Sequence, residues 1–171
     1  PRSTPKPSSA ASDVYKRQNL ETLKQLAEKL KFSHDIFLIG RDLAYPSALE
    51  GALKIKEVSY IHAEGFAGGE LKHGTIALIE KQTPVIVFVT NETKPLIISN
   101  AAEVKARGAY VIGVSQEYNS LYDYFISVPD VGNANPLLMI IPIQILAYYL
   151  ALAKGLDPDK PRNLAKSVTV K

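Results

Sequence analysis

Apolar residues in NLETLKQLAEKL (residues 19 to 30) recur at Leu20, Leu23, Leu26, Ala27 and Leu30. That spacing follows one face of a 3.6-residue helix and predicts an amphipathic helix. The pattern then changes. DIFLIG (residues 35 to 40) is a short unbroken apolar run closed by glycine, as expected of a parallel strand buried on both faces. Helical spacing returns in YPSALEGALKIKEVSYI (residues 45 to 61), with Pro46 in the first turn. TPVIVFVT (83 to 90), YVIGVS (110 to 115) and YFISVP (124 to 129) read as further strands. Between the first two of these, KPLIISNAAEVKARG (94 to 108) reads as a helix that stops at Gly108.

NPLLMIIPIQILAYYLALAKG (residues 135 to 155) is the longest apolar stretch and is long enough to raise a membrane span. Pro142 and Gln144 interrupt it, and it follows strands and helices of the kind found in soluble sheet proteins. Asn135 as N-cap, Pro136 in the first turn and Gly155 as C-cap describe a helix buried in a core instead. No membrane partner is therefore expected. Strands that alternate with helices predict an α/β three-layer sandwich, helices on both faces of a mostly parallel sheet.

Composition changes this picture at one place only, the beginning. The chain of 171 residues has a net charge of +3. Residues 1 to 18, PRSTPKPSSAASDVYKRQ, hold Arg2, Lys6, Lys16 and Arg17 against Asp13 alone, so they account for that excess. From Asn19 onward the chain is neutral overall, without a basic stripe, and nucleic acid is not an expected partner. The Pro/Ser/Ala-rich leader cannot bury a core and is read as disordered. DVYKRQ (13 to 18) matches the translation of a transposon-end adapter used in sequencing libraries, so the leader is read as non-native and the chain as truncated upstream. The expected organisation is a leader at 1–18, one domain at 19–156 and a C-terminal tail at 157–171. Without cysteine, disulfide and thiolate chemistry are excluded, which fits a cytoplasmic setting.

Three stretches could carry chemistry. In LEGALKIKE (49 to 57), Glu50, Lys54 and Glu57 form one stripe of a helix. It reads either as a solvated salt-bridge ladder or, since Leu49, Leu53, Val58 and Ile61 lie close by, as a partly desolvated group. A lysine beside a carboxylate keeps it ionised, as a base that moves carbon-bound protons must be. In GGELKHG (68 to 74), Lys72 and His73 end a short helix capped by Gly74, and His73 is a structural or a catalytic histidine. His34 and His62 have no site around them in sequence, and no histidine pair has zinc-type spacing, so no metal is indicated. In PRNLAKSVTVK (161 to 171), Lys166 is either part of a floppy basic end or, if held and desolvated, a Schiff-base nucleophile. GRDLAYP, after the first strand, lacks both a glycine-rich nucleotide loop and the Ser/Thr cluster that holds a sugar phosphate.

FLIGRDLAYPSALEGALKIKEVSYIHAEGFAGGELKHGTIALIEKQTPVIV (37 to 87) and DPDKPRNLAKSVTVK (157 to 171) resemble the C-terminal end of glucosamine-6-phosphate synthases, the isomerising glutamine–fructose-6-phosphate aminotransferases. The resemblance runs from about residue 19 to the end. It implies the second of two sugar isomerase (SIS) domains plus a catalytic tail, with the glutaminase domain and the first isomerase domain missing. The family makes glucosamine 6-phosphate and glutamate from fructose 6-phosphate and glutamine, without metal or redox cofactor.

Carried over by motif, Lys166 would form a Schiff base with the sugar carbonyl, and Ala165 beside it would contact the substrate. Glu57 would move a proton between the first two sugar carbons, with Lys54 as its charge partner. His73 would assist ring opening and reach the site from the other subunit of a homodimer. Arg162 is expected to pair with Glu50 and pin the tail to the charged helix. Two departures stand out: Lys171 replaces the family's usual terminal glutamate, and the phosphate-binding Ser/Thr loop belongs to the missing first domain. The fragment is therefore expected to be inactive alone. The alternative is a non-catalytic SIS module for sugar-phosphate binding or dimerisation, which would need neither Lys166 nor Glu57.

Overall fold

The computed structural model describes residues 20–163, so the leader and the tail positions Ala165, Lys166 and Lys171 lie outside the described residues. The chain runs α1 (residues 20–30), β1 (Asp35–Gly40), α2 (Tyr45–Ser59), β2 (His62–Ala67), β3 (Pro84–Phe88), α3 (Lys94–Lys105), β4 (Tyr110–Ser115), β5 (Tyr124–Ser127) and α4 (Asn135–Ala153). Short 3-10 turns at Asp42–Ala44, Gly68–His73, Thr75–Leu78 and Gly132–Ala134 link them. The strands form one sheet in the order β2-β1-β3-β4-β5, every neighbouring pair parallel.

Alternation along each strand sends successive side chains to opposite faces, and both faces are covered. Ile36 and Leu38 of β1 join a core with Leu26 of α1, Ile55 of α2 and Ile143 of α4. Phe37 and Ile39, one residue out of phase, join a second core with Ile97 and Val104 of α3. All four β1 side chains are at most 1% exposed. The three-layer α/β/α sandwich is therefore present, and its sheet is parallel throughout.

One strand was not legible in the sequence. β2, HAEGFA, pairs with β1 along its full length but forms the sheet edge, so it shows no continuous apolar run. Its Gly65 is where α2 crosses most closely: a Cβ there would sit 2.8 Å from the Ala48 carbonyl. Two helix ends also differ from expectation. α3 stops at Lys105 and turns through Ala106–Gly108, where Gly108 adopts φ +92°. Asn135 does not cap α4 but is its first residue. Its Oδ1 accepts from the Val131 N–H at 2.7 Å, and its amide donates to Asp130 Oδ1 at 2.8 Å.

The chain leaves β1 through α2 on one face of the sheet and leaves β3 through α3 on the other. The reversal opens a crevice at the carboxyl ends of β1 and β3, where doubly wound sheets usually bind ligands. Here that crevice is small, about 80 Å³, between Asp42 and Leu43, Thr90 and Thr93, and Asn133 and Pro136. The larger hollow, about 430 Å³, opens at the amino ends, between Ser33–Asp35 and Glu80–Pro84.

Candidate functional site

α2 runs from the carboxyl end of β1 back to the amino end of β2, so its last two turns stand at the amino edge of the sheet. Its buried side is set by Ala48, Gly51, Ala52, Ile55 and Ser59. Glu50, Lys54 and Glu57 follow each other along the flank of that side. Lys54 Nζ donates to Glu57 Oε2 at 2.8 Å and lies 3.4 Å from Glu50 Oε1. Side-chain exposures of 31% for Lys54 and 27% for Glu57 decide between the two sequence readings: the stripe is partly desolvated. The hydrogen bond to Glu57, opposed by desolvation, holds the Lys54 ammonium above the usual lysine range. The pair is thus one cation shared between two carboxylates, with Glu57 the better screened from water.

α2 ends on Tyr60, which takes the left-handed conformation (φ +57°) that glycine usually supplies at this position. The phenol of this strained residue meets the start of the tail. The Arg162 N–H donates to Tyr60 Oη at 2.7 Å, and the Arg162 guanidinium lies 4.2 Å from the ring centroid. The expected Arg162–Glu50 pair is not formed among the described residues: Glu50 faces Lys54 and Arg162 stacks on Tyr60. Arg162 still anchors the tail to the helix that carries Glu57, through an aromatic ring rather than a carboxylate. Its charge, after burial, also presses Lys154 below the usual lysine range. Tyr60 was missed in the sequence because nothing there marks a tyrosine as a helix terminator.

His73 stands elsewhere. It closes the 3-10 turn after β2, so β2 separates it from Glu57 by roughly 20 Å at about 3.3 Å per residue. Its Nδ1 lies 2.9 Å from Glu70 Oε2, and the ring is mostly exposed. Within one chain Glu57 and His73 do not meet. The turn that carries His73 is fixed to α3 by a Lys72–Glu103 ion pair of 2.9 Å. Beneath it, Arg41 Nε donates to Asn100 Oδ1 at 3.0 Å. Gly68 is required there, since a Cβ would fall 2.6 Å from that same oxygen.

The structure also assembles a group the sequence did not reveal. His34 Nδ1 and His62 Nδ1 lie 2.7 and 2.6 Å from the two oxygens of Asp35. The hydrogen bond and the charge of Asp35 hold His34 above the usual histidine value, and the carboxyl of Asp35 is lowered in turn. The two histidines are 28 residues apart, and only the β1–β2 register, which sets Asp35 opposite His62, joins them. Among the described residues, no group of three or more His, Asp or Glu side chains is placed to hold a metal ion.

Residues 29–154 match the SIS domain family. The isomerising glutamine–fructose-6-phosphate aminotransferase of Thermococcus kodakarensis is 50% identical over 154 residues, which cover 88% of this chain and 26% of the relative. The enzyme of the same name from Halalkalibacterium halodurans is 53% identical over 153 residues, with the same coverage. The chain thus spans about a quarter of the length of these relatives. Among solved structures, the C-terminal domain of glucosamine-fructose-6-phosphate aminotransferase from Francisella tularensis superposes with a TM-score of 0.77 at 37% identity. That match covers 84% of this chain and 42% of the solved one. Glucosamine-6-phosphate deaminase from Thermotoga maritima gives 0.70 at 27% identity, covering 88% and 46%.

Proposed function

The chain belongs to the SIS domain family, and on that premise we propose that it is the C-terminal isomerase portion of an isomerising glutamine–fructose-6-phosphate aminotransferase. The observation that carries this reading is Lys54 held between Glu50 and Glu57 on a half-desolvated helix flank. The tail that bears Lys166 begins at the same edge of the molecule, anchored through Tyr60.

In this reading the Lys166 amine attacks the sugar ketone and water leaves as the imine forms. Glu57, hydrogen-bonded by Lys54, takes a proton from one of the first two sugar carbons and returns it to the other. Ala165 lies along the substrate, Glu50 steadies Lys54, and Arg162 positions the tail. His73 serves ring opening from the second subunit of a homodimer, in keeping with its distance from Glu57 within one chain. Nitrogen comes from a glutaminase domain upstream, the phosphate is held by a first isomerase domain upstream, and the setting is cytoplasmic.

The test is reconstitution. The upstream coding sequence is recovered, and the complete enzyme is assayed for glucosamine 6-phosphate from fructose 6-phosphate and glutamine. Lys166→Arg and Glu57→Gln should each remove activity, and the 171-residue chain alone should show none. Full activity of either variant, or turnover by the isolated chain, would reject the assignment.

A further inference from the structure

The turn Gly68–His73 has a buried base and an exposed tip. Leu71 is fully buried, in the core it shares with Ile97 and Val104 of α3. Gly68 is buried against the Asn100 side chain, and Lys72 pairs with Glu103, so the turn is fixed to α3 at each of these points. At the end of this fixed backbone the His73 side chain is 71% exposed, and that of Glu70, which meets it, is 67% exposed. A contact so open adds little to folding, but this one decides the state of the ring. A carboxylate only accepts hydrogen bonds, so Glu70 Oε2 at 2.9 Å puts a proton on His73 Nδ1. The neutral ring then keeps its lone pair on Nε2, the nitrogen away from Glu70. Among the described residues Nε2 has no hydrogen-bond partner. His34 and His62, by contrast, share the single carboxylate of Asp35.

We propose that Glu70 is a positioning residue, which holds His73 as the Nδ1–H tautomer so that Nε2 is the nitrogen presented to the sugar. The inference rests on the reading that His73 serves ring opening; it adds which nitrogen acts and what selects it. In the closed ketose, the anomeric hydroxyl carries a proton that the ring oxygen must receive. Nε2 takes that proton while the hydroxyl electrons form the C2 carbonyl and the bond from C2 to the ring oxygen breaks. The electron pair of the broken bond goes to the ring oxygen, which then takes the proton from Nε2. His73 ends as it began. Between the two transfers it is an imidazolium, whose Nδ1–H faces the Glu70 carboxylate at the observed contact. With the opposite tautomer Nε2 would already carry a proton and could not take the first one.

Two measurements test it. Nitrogen NMR of the intact 171-residue chain reads which ring nitrogen holds the proton, and with three histidines in the chain His73→Ala assigns the signal. The neutral His73 ring should carry its proton on Nδ1, and Glu70→Ala should shift it toward Nε2. Circular dichroism should not change, because Glu70 is exposed. In the complete enzyme, Glu70→Ala should lower kcat by about 10- to 100-fold, part of the usual contribution of acid–base catalysis, with KM little changed. Glu70→Gln, which keeps an accepting oxygen, should retain more of both than Glu70→Ala. In a His73→Ala background, Glu70→Ala should cost nothing further, since its effect passes through the ring. A proton on Nε2, or a tautomer indifferent to Glu70→Ala, would overturn the proposal whatever the kinetics. So would full activity of Glu70→Ala in an enzyme that His73→Ala disables. Full activity of His73→Ala would instead reject the ring-opening role itself, and the proposal with it.

Discussion

The two ends of the sheet differ in what surrounds their polar groups. At the carboxyl ends, where a doubly wound sheet normally receives its ligand, the crevice is small and its polar groups are spent on each other. The Thr90 and Thr93 hydroxyls share a 3.0 Å hydrogen bond, and Asp130 binds Asn91, Asn135 and the Gly132 N–H. At the amino ends, Lys54 and Glu57 remain half-desolvated, and the tail starts beside them on Tyr60. On the reading proposed above, the chemistry lies with the Lys54–Glu57 pair and not in the fold's default crevice, so function is argued from the site rather than from the fold.

The largest expected effect tests that contrast directly. In the complete enzyme, Glu57→Gln should lower kcat by about 10²- to 10⁴-fold with little change in KM, the loss usual for a general base. Thr93→Ala, at the opposite end, should stay within about twofold. Steady-state kinetics on both variants would break the comparison if the order reversed. Next comes Asn135→Ala, which removes the fully buried side chain that ties the β5–α4 connection together. Urea unfolding should show a loss of about 1–3 kcal/mol.

A smaller change sharpens the account of the amino end. Tyr60→Phe keeps the ring under Arg162 but removes the acceptor for its N–H, and amide exchange at Arg162 should accelerate roughly tenfold, equivalent to one net hydrogen bond. The smallest effect concerns His34. Asp35 raises its protonation midpoint, so His34 should titrate above 6.5 by NMR and fall back toward that value in Asp35→Asn. A histidine raised in this way contributes to stability below its ordinary value and loses the contribution as pH rises through the raised one. A His34 midpoint indifferent to Asp35→Asn would remove the ionic link from the amino end.

Much of this architecture was legible because burial writes itself into pattern. β1, β3 and β4 are covered on both faces, so each appears as an unbroken apolar run. β2 is an edge strand and has no such signature. The Glu50–Lys54–Glu57 ladder was legible because its partners are helix neighbours whose spacing alone sets their contact. Tyr60–Arg162 and His34–Asp35–His62 were not, because their members are brought together only by the fold. Ala165 and Lys166 rest on motif resemblance, since both lie outside the described residues.

The Asp35 carboxylate between two histidines has a consequence for fidelity of strand pairing. β2 has one well-buried side chain, Ala63, so hydrophobic patterning specifies its alignment weakly. In the native alignment His62 meets Asp35. If β2 slipped by two residues toward its amino end, Glu64 would take that place and set one carboxylate against another. A slip by one residue would turn Ala63 out toward solvent and Glu64 in toward the core. The Asp35–His62 hydrogen bond therefore acts as a proofreading mark, rewarding one alignment of an otherwise ambiguous edge and penalising its nearest competitors.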